Sequence, residues 1–525
     1  MIRAIFLAFA LAAAGVAHAL DPVAISKIAT GDGDEKAAAV ASLVASGDER
    51  AVVFLKALAD GEAQVAGVRV LIVKGDAATD AASGAAVTPL PEAREDIVVN
   101  NRLRRAIDGA IAALRLLDPD REARRAAVKE LAAGAEEAMA PLVKKALEKE
   151  TDPDIKSTLT MIAAGMDLKS GDKPTRLEAI RMLGASSHPN TKTLLLPLAD
   201  KAEGDDDVRR AAAESLKVVE ARLARSQFAG LVFSGVSLGS ILLLAALGLA
   251  ITYGLMGVIN MAHGELIMIG AYTTYAVQNL FRAHLPGAFD WYLLFAVPAA
   301  FAVAALVGMA LERSVIRWLY GRPLETLLAT WGISLVLIQA VRTIFGAQNV
   351  QVENPAFMSG GVEILGGVVL PYSRIVIIAF SAVVLAGVGL LLARTRLGLF
   401  VRGVTQNRAM AACVGIPTAR VDTWAFGLGS GLAGLAGCAL SQIGNVGPDL
   451  GQSYIVDSFL VVVLGGVGQL AGTVYAALGL GFANKLLENW AGAVIAKIVV
   501  LAFIIVFIQK RPQGLFALKG RAVES

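Results

Sequence analysis

Cysteine is nearly absent from this 525-residue chain. Cys413 and Cys438 are the only two, so neither a disulfide framework nor a cysteine-based zinc site is expected. Histidine numbers four and aromatic side chains make up 6%. There is no G-x-x-x-x-G-K-[ST] phosphate loop and no H-E-x-x-H motif. Any ATP must therefore be hydrolysed in trans, and neither a metal nor another cofactor is expected. The pattern suits a carrier and not an enzyme. Charge is scarce in one half only: residues 1–227 hold 31 Lys/Arg and 34 Asp/Glu, whereas residues 228–525 hold 17 and 11. The halves carry −3 and +6, which sum to the +3 of the whole. No basic face points to nucleic acid.

What is present is a change of regime. The chain is expected to be all-α, a polytopic membrane helix bundle preceded by an exported HEAT-like α-solenoid. Residues 1–19 read as a secretory signal peptide: Arg3, an apolar stretch Ala4–Ala14 too short to span, and the cleavage pattern Ala17-His18-Ala19. A retained anchor is the alternative, and either way residues 20–227 are exported, to the periplasm. Within them Arg124–Leu131, Arg176–Leu183 and Arg209–Leu216 resemble one another. Each follows a turn signal (Asp118-Pro119-Asp120, Asp172-Lys173-Pro174, Asp205-Asp206-Asp207), and a weaker copy follows Asp152-Pro153-Asp154. Acid or Pro at a helix start caps it and favours its first turn. Repetition of this kind predicts stacked helix pairs, with Gly67–Asn100 a less regular, strand-containing insert. A generic helical bundle is the plainer reading.

Residues 228–525 contain nine apolar segments, near 229–257, 260–279, 291–311, 324–345, 374–393, 421–443, 455–467, 471–487 and 492–509. The seventh and eighth are short enough for a hairpin or re-entrant pair. With the N-terminal domain outside, the inside loops carry Arg313, Arg317, Arg322, Arg394, Arg396, Arg402, Arg408, Arg420, Lys510 and Arg511. That arrangement obeys the positive-inside rule, puts the C-terminus in the cytoplasm and requires an odd number of crossings of the inner membrane. Asp457 and Lys497 are ionisable residues at membrane depth and are expected to pair.

Two interruptions stand out. Met256-Gly-Val-Ile-Asn260-Met-Ala-His263-Gly264-Glu265 breaks a long apolar tract with polar and ionisable groups. Such groups are costly in lipid unless they face a partner or a cavity, so a broken helix beside a pathway and a polar turn between spans are the two readings. Asn260, Tyr272 and Thr330 are of a type to hydrogen-bond a neutral polar cargo, and equally to bridge helices. The second interruption is Arg402–Pro417. Gln406–Val414 can form a short helix with a small-residue face, ended by Gly415 and Pro417, either docking on another protein or merely connecting two spans.

Leu238-Gly-Ser-Ile, Met256–Glu265, Thr330-Trp-Gly-Ile-Ser-Leu335, Leu464-Gly-Gly-Val-Gly468 and Arg511-Pro-Gln-Gly-Leu-Phe516 resemble the permease subunits of branched-chain amino acid (Liv-type) ABC transporters. The long N-terminal extension is similar to that of the permease subunit of urea ABC transporters. The resemblance implies import of urea, with branched-chain amino acids or short amides as rival cargoes. It also implies a second homologous permease subunit, two cytoplasmic ATPases and a periplasmic substrate-binding protein around a membrane-embedded chain. Asn260, His263, Gly264, Glu265, Tyr272 and Thr330 then become candidates for the translocation pathway or gate. Gln406, Arg408, Ala411 and Gly415 become candidates for coupling to an ATPase. A receptor or scaffold without transport is the rival from another class.

Overall fold

The structure is a computed structural model. It describes residues 20–45, 49–67, 69–75, 77–91, 93–132, 139–186, 188, 190–200, 204–257, 259–364 and 368–516; the expected signal peptide lies outside them. The chain divides into two compact units, 1–224 and 225–525.

The first unit opens with α1 (Pro22–Thr30), α2 (Gly33–Ala45) and α3 (Glu49–Ala59). A four-stranded antiparallel sheet follows, with β1 (Ala63–Ala66), β2 (Arg69–Lys74), β3 (Ala77–Asp80) and β4 (Glu95–Asp96) in the order β3-β2-β1-β4. Here the all-α expectation is corrected. Val65, Val70, Ile72 and Val73 are β-branched, and Gly67 and Gly75 supply the left-handed φ of +64° and +62° that the tight hairpins need. Then come α4 (Asn101–Arg115), α5 (Arg121–Ala132), α6 (Ala140–Lys149), α7 (Pro153–Asp167), α8 (Lys173–Ala185) and α9 (Thr191–Leu195).

The acidic turn signals become helix caps. Asp152 accepts from the backbone N–H of Asp154 and Ile155, Asp172 from Thr175, and Asp205 from Asp207 and Val208. Equivalent positions of the three copies share one environment: Ala127, Ala179 and Ala212 are all buried. Cations at one helix start reach the cap of the helix after next, Arg121 to Asp152 at 2.6 Å and Lys173 to Asp205 at 3.0 Å.

The boundary between the units falls within α10 (Asp206–Met256). The second unit continues with α11 (His263–His284), α12 (Tyr292–Ser314), α13 (Pro323–Phe345), the hairpin β5 (Gly361–Ile364) and β6 (Val368–Pro371), α14 (Tyr372–Arg394), α15 (Arg396–Gln406), α16 (Arg408–Cys413), α17 (Thr418–Ser441), α18 (Leu450–Gly465), α19 (Leu470–Ala491) and α20 (Ala493–Lys510). Among the described residues seven helices are long and apolar enough to cross a membrane; α11 and the 16-residue α18 fall outside that set. This is a polytopic helical bundle.

Its hub is α17, 89% buried over its apolar window. A Cβ at Gly427 would lie 2.7 Å from Met309, one at Gly431 2.5 Å from the Phe301 ring, and one at Gly434 2.6 Å from Ala304. The glycine face therefore seats α17 directly on α12. Gly235-Val236-Ser237-Leu238-Gly239 likewise lies against α19, with Phe482 and Ala477 as neighbours. This stretch spells G-x-S-x-G, but it sits inside a helix and not at a strand-to-helix elbow, so it makes no hydrolase nucleophile. Asp457 and Lys497 pair at 3.5 Å.

Candidate functional site

The chain leaves α10 at Met256 and turns on Gly257, whose φ of +65° only glycine adopts at little cost. It begins α11 at His263. The His263 ring nitrogen Nε2 donates to the Ala245 carbonyl at 3.0 Å. Ala245 precedes the end of α10 by eleven residues, a depth of about 16 Å at the helical rise. The turn thus folds back into the bundle, and α11 starts beside α10 about three turns before its end.

Short side chains on the turn and on α13 satisfy its backbone. Asn260 Oδ1 accepts from the Ala262 N–H at 3.1 Å, and Thr330 Oγ1 accepts from the Met261 N–H at 3.2 Å. Ser334, midway along α13, donates to Glu265 Oε1 at 2.7 Å. Asn260, His263, Glu265, Thr330 and Ser334 are all at most 4% exposed. Four polar atoms here have no partner among the described residues: Asn260 Nδ2, His263 Nδ1, Glu265 Oε2 and the Tyr272 hydroxyl. Unsatisfied buried polar atoms are unusual and call for an explanation, a functional one included. Tyr272 stands further along α11, its ring 4.8 Å from Phe345.

Gly264 faces the start of α18. A Cβ there would lie 2.7 Å from the Gly451 carbonyl oxygen and 3.2 Å from Ile455 Cβ. Two helix starts, α11 and α18, therefore meet backbone to backbone at this break. No group of three or more His, Cys, Asp or Glu arranged to hold a metal occurs among the described residues.

The second interruption is resolved differently from the expectation. Gln406 ends α15, and Asn407 caps a separate helix by accepting from the Met410 N–H at 2.9 Å. The short helix therefore starts at Arg408, not at Gln406. Ala411 is 4% exposed and packs into the chain's own core, while Met410 and Val414 are 61% and 70% exposed. The outward apolar face thus includes Met410 and Val414 beside the exposed Ala409 and Ala412. Gly415, at φ +87°, turns the chain out. Gln406 instead lines a cleft of about 530 Å³ with Gly254, Arg402 and Gln469, which includes none of the residues of the break.

Sequence reasoning missed Ser334 and Gly451. Ser334 follows Thr330 by four residues, a same-face spacing that flags it; Gly451 carries no such signal. It also missed Glu312 and Asp422, carboxylates buried at the Arg-rich loops.

Residues 231–508 match the family model described as the branched-chain amino acid transport system / permease component. The high-affinity branched-chain amino acid transport system permease protein BraD of Pseudomonas aeruginosa is 29% identical, over 54% of this chain and 93% of that protein. LivH of Escherichia coli K12, of the same transport system type, is 28% identical over 54% and 94%. The ribose import permease protein RbsC of Escherichia coli K12 is 26% identical over 42% and 70%. No solved structure matches the chain. With more than half of its length matched and a bundle of spanning helices behind the match, the chain belongs to the permease component family of branched-chain amino acid transport systems.

Proposed function

We propose that this chain is one of two permease subunits of an ATP-driven ABC importer whose cargo is urea. The observation that carries this reading is the shape of the family match. It begins at residue 231, behind a separate helical unit, and the BraD alignment covers 93% of that protein but only 54% of this chain. An exported extension of this kind is what the resemblance to urea permease subunits rests on. The break supports it chemically. Urea is small, neutral and rich in N–H donors around one carbonyl, and the orphaned donors and acceptors of Asn260, His263, Glu265 and Tyr272 suit a neutral polar guest. In this reading Asn260, His263, Gly264, Glu265, Tyr272 and Thr330 shape the pathway or gate, and Arg408–Gly415 docks on one of two cytoplasmic ATPases. A periplasmic binding protein delivers the cargo, and the N-terminal helical repeat offers a protein-binding face outside the inner membrane.

The second reading keeps the machine and changes the cargo to branched-chain amino acids, as the names of the relatives favour. Uptake of labelled urea and labelled leucine by cells with and without the gene decides between them. Loss of urea uptake alone supports urea; loss of leucine uptake alone supports the second reading; loss of neither rules out import of both.

A further inference from the structure

We infer that the Arg408–Asp422 ion pair is the link through which the ATPase-facing helix moves the broken helix at the bundle centre. The inference rests on the reading of Arg408–Gly415 as the docking segment.

The guanidinium of Arg408 binds both oxygens of Asp422, one of them at 3.2 Å, and its carbon lies 4.8 Å from the centre of the Tyr320 ring. Asp422 is fully buried in the first turns of α17, whereas the Arg408 side chain is 43% exposed on α16. A second buried carboxylate grips the same turns. Glu312 at the end of α12 accepts from Thr423 Oγ1 at 2.7 Å and pairs with Arg317 at 3.3 Å, and Arg317 also reaches the Ala419 carbonyl. Fork-shaped charge-assisted contacts fix direction as well as distance. Removing one partner leaves the other charge buried and alone.

From Asp422 the path runs through backbone, not through flexible side chains. Gly429, Gly434 and Gly437 of α17 lie against Gly248 of α10 and against Gly270, Ile267 and Ala271 of α11. Gly248 in turn has His263 Cε1 within 3.0 Å of where its Cβ would be. A glycine contact has no rotamer to absorb a shift, so α17 passes displacement on as a rigid rod. Among the described residues two arginines, Arg408 and Arg317, hold its first turns, Arg317 together with Glu312. Arg408 is the one that belongs to the short helix with the outward Met410 and Val414. Arg317 anchors α17 to the rest of the bundle, and Arg408 ties it to the docking helix. Arg408 and Asp422 are positioning residues in this scheme and touch no cargo.

The test uses the whole transporter in proteoliposomes, with its ATPases and binding protein. ATP hydrolysis is measured together with accumulation of labelled urea or labelled leucine, whichever the unchanged complex takes up. The quantity read is substrate moved per ATP. Arg408→Gln and Asp422→Asn are expected to lower this ratio at least fivefold in complexes that still contain both ATPases. The exchange Arg408→Asp with Asp422→Arg is expected to restore at least half of it. A merely structural role lowers uptake and hydrolysis together and leaves the ratio unchanged. An unchanged ratio in Arg408→Gln overturns the inference, and so does an exchange variant no better than the single ones. If Asp422→Asn does not assemble, the half-exposed Arg408 decides alone. If the unchanged complex takes up neither probe, the proposed function itself fails, and the inference falls with it.

Discussion

Glu265 illustrates how a single side chain is read at two levels. Its charge in an apolar tract marks it from sequence alone, but its partner Ser334 lies 69 residues away, and only the four-residue spacing from Thr330 points there. Gly264 is similar: its smallness is visible, while its reason, the Gly451 backbone, is a tertiary fact. Gly264→Leu must push α11 and α18 apart, at a cost of about 1–3 kcal/mol for overpacking. We expect it to reduce uptake more than tenfold with the ATPases still bound, as measured by transport assay and co-purification. Glu265→Leu should do the same by removing one of the break's ties to α13 and leaving the Thr330 contact with the Met261 N–H, whereas Ser334→Ala, which removes one neutral partner, should cost less than tenfold. Full transport in Gly264→Leu and Glu265→Leu together would make the break an ordinary interhelical turn.

The elements were unevenly legible. Acid-started helices of the first unit could be placed because Asp152, Asp172 and Asp205 cap locally. The sheet was only half seen, since β1 begins at Ala63 and pairs across turns whose register the composition does not encode. The short helix α16 shows the limit best. Its small-residue face suggests docking from spacing, yet that face is split: Ala411 is buried in the core, while Ala409 and Ala412 are exposed with Met410 and Val414, a packing outcome that spacing alone does not encode. Met410→Asp with Val414→Asp should therefore weaken ATPase capture at least tenfold without changing membrane levels of the chain, read by co-purification. Ala411→Asp, burying a charge in the core, should instead lower those levels severalfold.

The first unit also carries a pH signature. Hydrogen bonding from Arg124, outweighing burial and aided by the N–H groups of Asp152 and Thr151, holds the Glu150 carboxyl below its ordinary value. A depressed carboxylate stabilises the fold above its unfolded pKa and loses that contribution as pH falls through the folded one. Resistance of this unit to protease, measured on the full protein, should drop on acidification below about pH 4.5. Arg124→Gln should lower resistance at neutral pH and flatten the drop.

At the scale of the whole molecule the charge map carries the most information. The two regimes of the composition coincide with two compact units, and seven helices pass as membrane spans against nine apolar segments. The difference arises because α18 is short and α11 carries polar residues along its length, from His263 and Glu265 at its start to Gln278, Asn279 and Arg282 near its end, features that an apolar count does not weigh. A reporter active only when exported should be active when fused after Ala224, given the Arg-rich loops on the opposite side; activity of a strictly cytoplasmic reporter at that position would invert the topology. The central claim, ATP-driven import of urea, is tested most directly with the purified complex in proteoliposomes that hold ATP in the ATPase-facing compartment and the binding protein on the other side. The account predicts accumulation of labelled urea that requires ATP and is unaffected by excess leucine. Accumulation of leucine with urea excluded, or urea flux of equal rate without ATP, would contradict it.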